Sequence, residues 1–363
     1  MMNASGLILA PLGALYSAAM RARLALYRSG ALRIHKIGSP VISVGNITTG
    51  GTGKTPLVEY IARAAAKKGR RVCILTRGYG RADARGRVLV SDGKQILADA
   101  LAGGDEPRLL AEMLQGVAAI ISDADRLGAA RWAEENLGSD VFILDDGFQH
   151  LRLARDLDLV TVDATNPWGG GRLLPHGRLR ERLKGLARAD CIILTRAEQS
   201  QDIGSLRKEA ERLSDGRPVL ISRTCTKAIC PLDEMIMNGV ASELSTHHSS
   251  LITHHSLPQP VAAFCAVGNP AAFFAHARND GHTLSYTRAF HDHHIYQQTD
   301  VDALVSEAKR AGVRALLTTA KDAVKLRSLR FDLPCYVLEI GLEFDDEETL
   351  TGMIRQAIEK RPA

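Results

Sequence analysis

Residues 43–57 read SVGNITTGGTGKTPL, with Gly50, Gly51 and Gly53 crowded against Lys54 and Thr55. The run 40–44 before them is short and β-branched, which reads as a strand. After them Pro56 suits a first helical turn, and Leu57, Val58, Ile61, Ala62 and Ala65 follow at helical spacing. A strand feeding a glycine-rich loop and then a helix is a phosphate cradle. The glycines let successive backbone amides face an anion, and the helix start adds free N–H groups and a positive dipole end. Thr48, Thr49, Gly50, Gly51, Thr52, Gly53, Lys54 and Thr55 are therefore the expected nucleotide-binding residues; Lys54 reaches phosphate oxygens and Thr55 is placed as a Mg²⁺ ligand. The loop departs from GxxxxGK[ST] spacing in carrying Thr48 where the first glycine belongs, with the Gly50-Gly51 pair close by.

A triphosphate site needs a second half, an apolar strand ending in a carboxylate on the same sheet edge. Val141-Phe142-Ile143-Leu144 followed by Asp145-Asp146 supplies it, and either aspartate can be the metal ligand. A dinucleotide site would instead need GxGxxG and a later acidic residue, whereas Lys54-Thr55 suits a transferring γ-phosphoryl group. Further strands are expected at 71–76, 117–121, 159–162 and 191–194, with helices at 106–114 and 125–135. Apolar strands alternating with helices predict an α/β fold, a P-loop NTPase-like parallel sheet covered on both faces. A helical leader (1–36) precedes this domain (37–215). A β-ribbon linker (216–259) and a second, smaller α/β domain (260–363) follow, the latter with strands at 261–267, 284–290, 315–318 and 335–340.

At 363 residues and 45 % hydrophobic composition the chain is long enough for two such domains. A net charge of +5 does not call for a nucleic-acid partner. Six scattered cysteines with no CxxC pair read as small hydrophobes of a reducing compartment. The pairs His247-His248 and His254-His255 have no carboxylate or cysteine at an informative spacing and read as an exposed polar loop. The first twenty residues carry no charge, and Arg21, Arg23 and Arg28 follow them, the reverse of a secretory signal. Gly6, Pro11 and Gly13 weaken a spanning reading. The expectation is a helix lying in a membrane interface with its arginines near lipid phosphates; the alternative is a helix packed on the protein's own body.

Several stretches occur in a telling order: LTRGYGR (75–81), GDEP (104–107), ILDDGFQHLRLARDLDLV (143–160), GRLRERLKGLARAD (177–190), VGNP (267–270), FHDHHIY (290–296) and TTAKDAVKL (318–326). Together with the phosphate loop they make the chain resemble the tetraacyldisaccharide 4'-kinases over nearly its whole length, with Arg182 standing where a proline is common. The resemblance implies ATP- and Mg²⁺-dependent phosphorylation of the 4'-hydroxyl of an acylated lipid A disaccharide 1-phosphate. It implies a peripheral enzyme at the cytoplasmic face of the bacterial inner membrane, with the lipid as substrate, no nucleic acid and no obligate protein partner. It further implies Asp105 as general base and His293, the first histidine after Asp292, as its assistant, alongside Lys54 as a catalytic cation. Arg77, Glu106, Gln149, His150, Arg180 and Glu181 match positions near the γ-phosphate or acceptor, while Asp322 and Lys325 read as structural or hinge residues. The chemistry is coherent, because a sugar hydroxyl is a weak nucleophile and a placed carboxylate can take its proton. The competing class is a P-loop NTPase switch or assembly factor, which uses the same loop and aspartate-ended strand.

Overall fold

A computed structural model describes residues 4–83, 85–238, 257–292 and 294–359; His293 and both histidine pairs of the 239–256 stretch lie outside these residues. In chain order the elements are α1 (Ala4–Arg28), β1 (Val41–Asn46), α2 (Lys54–Lys67), β2 (Val72–Thr76), β3 (Val88–Ser91), α3 (Ala100–Gly103), α4 (Asp105–Met113) and β4 (Ala118–Ser122). There follow α5 (Arg126–Leu137), β5 (Val141–Asp145), β6 (Leu157–Asp163), β7 (Cys191–Thr195), α6 (Ile203–Leu213), β8 (Val219–Pro231) and α7 (Leu232–Asn238). The remainder comprises β9 (Val261–Cys265), α8 (Pro270–Asn279), β10 (Leu284–Ala289), α9 (Gln298–Arg310), β11 (Ala315–Thr319), α10 (Ala320–Leu326), β12 (Cys335–Phe344) and α11 (Glu347–Glu359).

The chain forms two compact units, one of Met1–Arg77, Asp125–Arg223 and Glu343–Ala363, the other of Gly78–Ala124 and Thr224–Leu342. In the first, β8, β7, β6, β1, β5 and β2 lie side by side as a parallel sheet. The central strand β1 sets Val44 opposite Asp145 of β5 and Leu159 of β6, so the phosphate loop and the strand-ending carboxylates leave the same edge. These strands are buried along their length, as parallel strands with helices on both faces must be. The turn after β5 folds back so closely that a Cβ on Gly45 would lie 2.5 Å from Phe148, which explains why that position carries no side chain.

The second unit has β10, β9, β11 and β12 in parallel, with an antiparallel β3–β4 pair in its other segment. Its core gathers Phe264, Tyr296, Val301, Leu304, Leu316 and Val337.

The units draw on the chain differently from the expected segments 37–215 and 260–363. Residues 78–124 join the second unit, where three ion pairs clamp α4 to α10 and the residue after it: Asp105–Lys325 at 2.9 Å, Glu106–Lys321 at 3.1 Å and Glu112–Arg327 at 2.6 Å. The last helix joins the first unit: Tyr60 of α2 packs edge-on to Phe344 and donates to Glu347 at 2.7 Å. Neither link has a local signature. The helices α6 and α10 were not anticipated; α10 is seven residues long, too short for a full amphipathic period to stand out.

Candidate active site

The phosphate loop is shaped by its backbone. Gly50 and Gly53 have φ of 109° and 77°, and Gly53 caps α2, whose first residues are Lys54 and Thr55. Around it the Asn46 side chain donates to Thr48 O at 2.7 Å, and the Thr49 N–H donates to Arg178 O at 2.7 Å. Thr52 shares a hydroxyl contact of 2.8 Å with Thr161, and Arg196 donates to Gly51 O at 2.8 Å. The loop backbone is thus tied down at Thr48, Thr49 and Gly51, with the Thr49 amide engaged by Arg178 O.

Facing the loop, Asp145 is 6 % exposed at the end of β5 and Asp146 follows in the left-handed region at φ 52°, a conformation aspartate tolerates better than most residues. Lys54 Nζ lies 3.4 Å from Asp146 Oδ1, Arg180 donates to Asp146 Oδ2 at 2.5 Å, and Arg126 donates to Asp146 O at 3.1 Å. Burial opposes ionisation of Asp146, but the charges of Lys54 and Arg180 outweigh it and hold the carboxyl well below its usual range. Asp146 Oδ1 is buried with its Lys54 ion pair and no hydrogen bond, and Asp145, Asp146 and the Thr55 hydroxyl are hard oxygen donors of the kind Mg²⁺ takes.

Other residues expected from the sequence have contacts of their own in the first unit. Gln149 Nε2 donates to Asn46 O and to Glu181 Oε1, each at 2.9 Å, and Arg188 pairs with Glu181 at 2.8 Å. Burial, reinforced by the charges of Arg126, Arg155, Arg23 and Arg152, pushes His150 down to about 3, so its ring is neutral. Arg77 stands exposed just after β2.

In the second unit Asp105 opens α4, with Gly104 as cap. Lys325, whose side chain is 5 % exposed, pairs with Asp105 and also donates to His294 O at 3.2 Å. Lys321 bridges Glu106 at 3.1 Å and Asp292 at 3.4 Å. Two lysines of α10 thereby gather the GDEP carboxylates and the histidine-bearing segment. His294 itself is engaged by Asp300 at 2.9 Å and stacks on Phe290. Lys325, which the sequence suggests as structural or hinge-related, and Lys321 both lie on α10, and in the sequence only a lysine every fourth residue points to one shared face. Asp322 between them is wholly buried, accepts from Ala266 N and Tyr296 OH at 3.1 Å, and is structural.

A family model described as tetraacyldisaccharide-1-P 4'-kinase (LpxK) matches residues 5–359. The chain belongs to that family. It is 39 % identical to the tetraacyldisaccharide 4'-kinase of Desulfotalea psychrophila over 341 residues, 93 % of either chain. Against the enzyme of that name from Anaeromyxobacter dehalogenans it is 41 % identical over 313 residues, 86 % of this chain and 79 % of the relative. Among solved structures it resembles LpxK from Aquifex aeolicus, an "apo" form in complex with ATP, with a TM-score of 0.72, 30 % identity and coverage of 96 % and 98 % of the two chains. The LpxK fold accounts for the phosphate loop, the parallel sheet and the carboxylate-ended strand together.

Proposed function

We propose that the chain transfers the γ-phosphoryl group of ATP to the 4'-hydroxyl of an acylated disaccharide 1-phosphate, the lipid A precursor for which its family is named. The observation that carries this reading is the Lys54–Asp146–Arg180 cluster beside a glycine loop, within a chain that matches the family over residues 5–359. The amides of the loop and Lys54 would hold the phosphate tail, Lys54 exchanging Asp146 for phosphate oxygens. Thr55 with Asp145 or Asp146 would hold Mg²⁺, which supplies neutralising charge when bound.

Asp105 takes the proton of the 4'-hydroxyl, and His293 orients it. Support comes from Lys325, which pins the carboxylate, and from the FHDHHIY stretch, in which His293 matches the family's assisting histidine. Arg180, Gln149, His150 and Glu181 contribute substrate contacts near the phosphate loop, with Arg77 and Glu106 in supporting roles.

The enzyme works as a peripheral protein at the cytoplasmic face of the inner membrane, with the leader as its interfacial element. No helix among the described residues is long and apolar enough to cross a membrane. Tyr16 donates to Arg180 O and Arg23 to Gln149 O, each at 2.9 Å, while Leu15 and Leu26 on the same helix are exposed. Packing on the protein's own body and presenting apolar side chains outward thus coexist in α1.

Incubating purified protein with ATP, Mg²⁺ and detergent-dispersed lipid disaccharide 1-phosphate should yield product phosphorylated at the 4'-position. Lys54→Ala should lower the rate by about 10²–10³-fold. ATP hydrolysis that ignores the acceptor and tracks dimerisation would point to a switch protein instead.

A further inference from the structure

Within the second unit, two lysines of α10 reach side by side from the first turn of α4 to the stretch that follows β10. Lys321 Nζ lies 3.1 Å from Glu106 and 3.4 Å from Asp292. One helical turn later, Lys325 Nζ lies 2.9 Å from Asp105 and donates to His294 O at 3.2 Å. Glu106 directly follows Asp105, and Asp292 and His294 flank His293 in the sequence. The residues on both sides of His293 are therefore tied to the turn that carries Asp105.

The Lys321 bridge adds little that the fold itself needs. The helices α4 and α10 are already joined through Glu112, whose side chain is 1 % exposed and pairs with Arg108 and with Arg327, each at 2.6 Å. Charges buried that deeply are costly to leave without a partner. The carboxylates on Lys321 are instead 35 % and 39 % exposed, and water screens ion pairs of that kind until they contribute little to stability. Lys321 itself is only 16 % exposed. Burial opposes its charge, but Glu106 and Asp292 outweigh burial and raise its pKa above the ordinary lysine value. A lysine withdrawn from solvent thus holds two half-exposed carboxylates together, an arrangement that fixes geometry more than it stabilises the fold.

We infer that Lys321 is a positioning residue for phosphoryl transfer, keeping the stretch that bears His293 in register with Asp105. The inference rests on the proposed roles of Asp105 and His293 and adds what holds the two together. Lys325 touches Asp105 itself, so its loss changes the charge beside the base as well as its place; Lys321 pairs with the next residue along and with the residue before His293. Without Lys321 the like charges of Glu106 and Asp292 repel, and the two segments separate. A displacement of about 1 Å at a reacting group can cost about 10²-fold in rate.

The test is a kinetic cycle on the full-length protein with ATP, Mg²⁺ and the detergent-dispersed disaccharide 1-phosphate, combining Lys321→Met with His293→Ala. Lys321→Met alone should lower kcat by about 10–10²-fold with KM for ATP kept within about twofold, and Lys321→Arg should recover part of the rate. In the His293→Ala background, itself slower by about tenfold or more, Lys321→Met should cost less than about threefold, because the register it keeps no longer matters. The thermal midpoint of Lys321→Met should stay within about 4 °C of the unaltered protein. An equal loss in both backgrounds, a raised KM for ATP with kcat intact, or activity that falls in step with a much lower midpoint overturns the inference while the roles of Asp105 and His293 stand. Full rate in His293→Ala alone defeats the assisting-histidine reading and this inference with it.

Discussion

The phosphate loop of the first unit and the carboxylate cluster of the second are built on opposite plans. In the loop, glycine conformations and the adjacent helix start shape the anion site, so the chemistry is written into about a dozen consecutive residues. In the cluster, Asp105 and Glu106 are placed by lysines that follow them at a distance, 215 residues for the Glu106–Lys321 pair. A backbone-built site tolerates side-chain changes around it, whereas a site built by opposing charges fails when one charge goes, because the partner is left buried and uncompensated.

The sharpest way to break this comparison is Asp105→Asn, expected to cut kcat by about 10²–10⁴-fold with ATP affinity retained, as single-turnover rates and nucleotide titration would reveal. A loss under tenfold would remove Asp105 from the proton-transfer role. Next, Lys325→Met should lower unfolding free energy in urea by about 3 kcal/mol and reduce kcat as well, with Lys325→Arg recovering part of both. Unchanged stability would show that the Asp105 pair is incidental to α4–α10 packing.

Within the first unit the sensitive element is backbone approach rather than charge. Gly45→Ala would force a Cβ to 2.5 Å from Phe148 and should cost about 1–3 kcal/mol, visible as a lower thermal midpoint. The last effect concerns pH. His150 titrates at about 3 when folded against 6.5 when free, so between those values the unfolded chain binds the extra proton. Stability should therefore fall as pH drops below 6.5, by up to about 1.4 kcal/mol per pH unit, and His150→Gln should flatten the slope in denaturation measured from pH 7 to 5.

Much of the architecture was legible beforehand. The strands at 41–46, 72–76, 141–145 and 157–163 lie where apolar runs predicted them, because a strand buried on both faces must be continuously apolar. The shape of the loop from Thr48 to Thr55 and the strand end carrying Asp145 and Asp146 were legible because each depends on neighbours in sequence. The lysines of α10 were not, since no residue near them announces a partner.

From the linear order of residues alone came the α/β class, the phosphate loop with its lysine, and the aspartates at the end of the strand beside it, all properties of local periodicity and backbone freedom. Only the folded chain decided that Asp146 faces Lys54 and Arg180, that α10 holds Asp105, and that α1 packs on the stretch bearing Arg180. The physical reason is that charge pairing and helix packing depend on distances through space, which sequence separation does not encode.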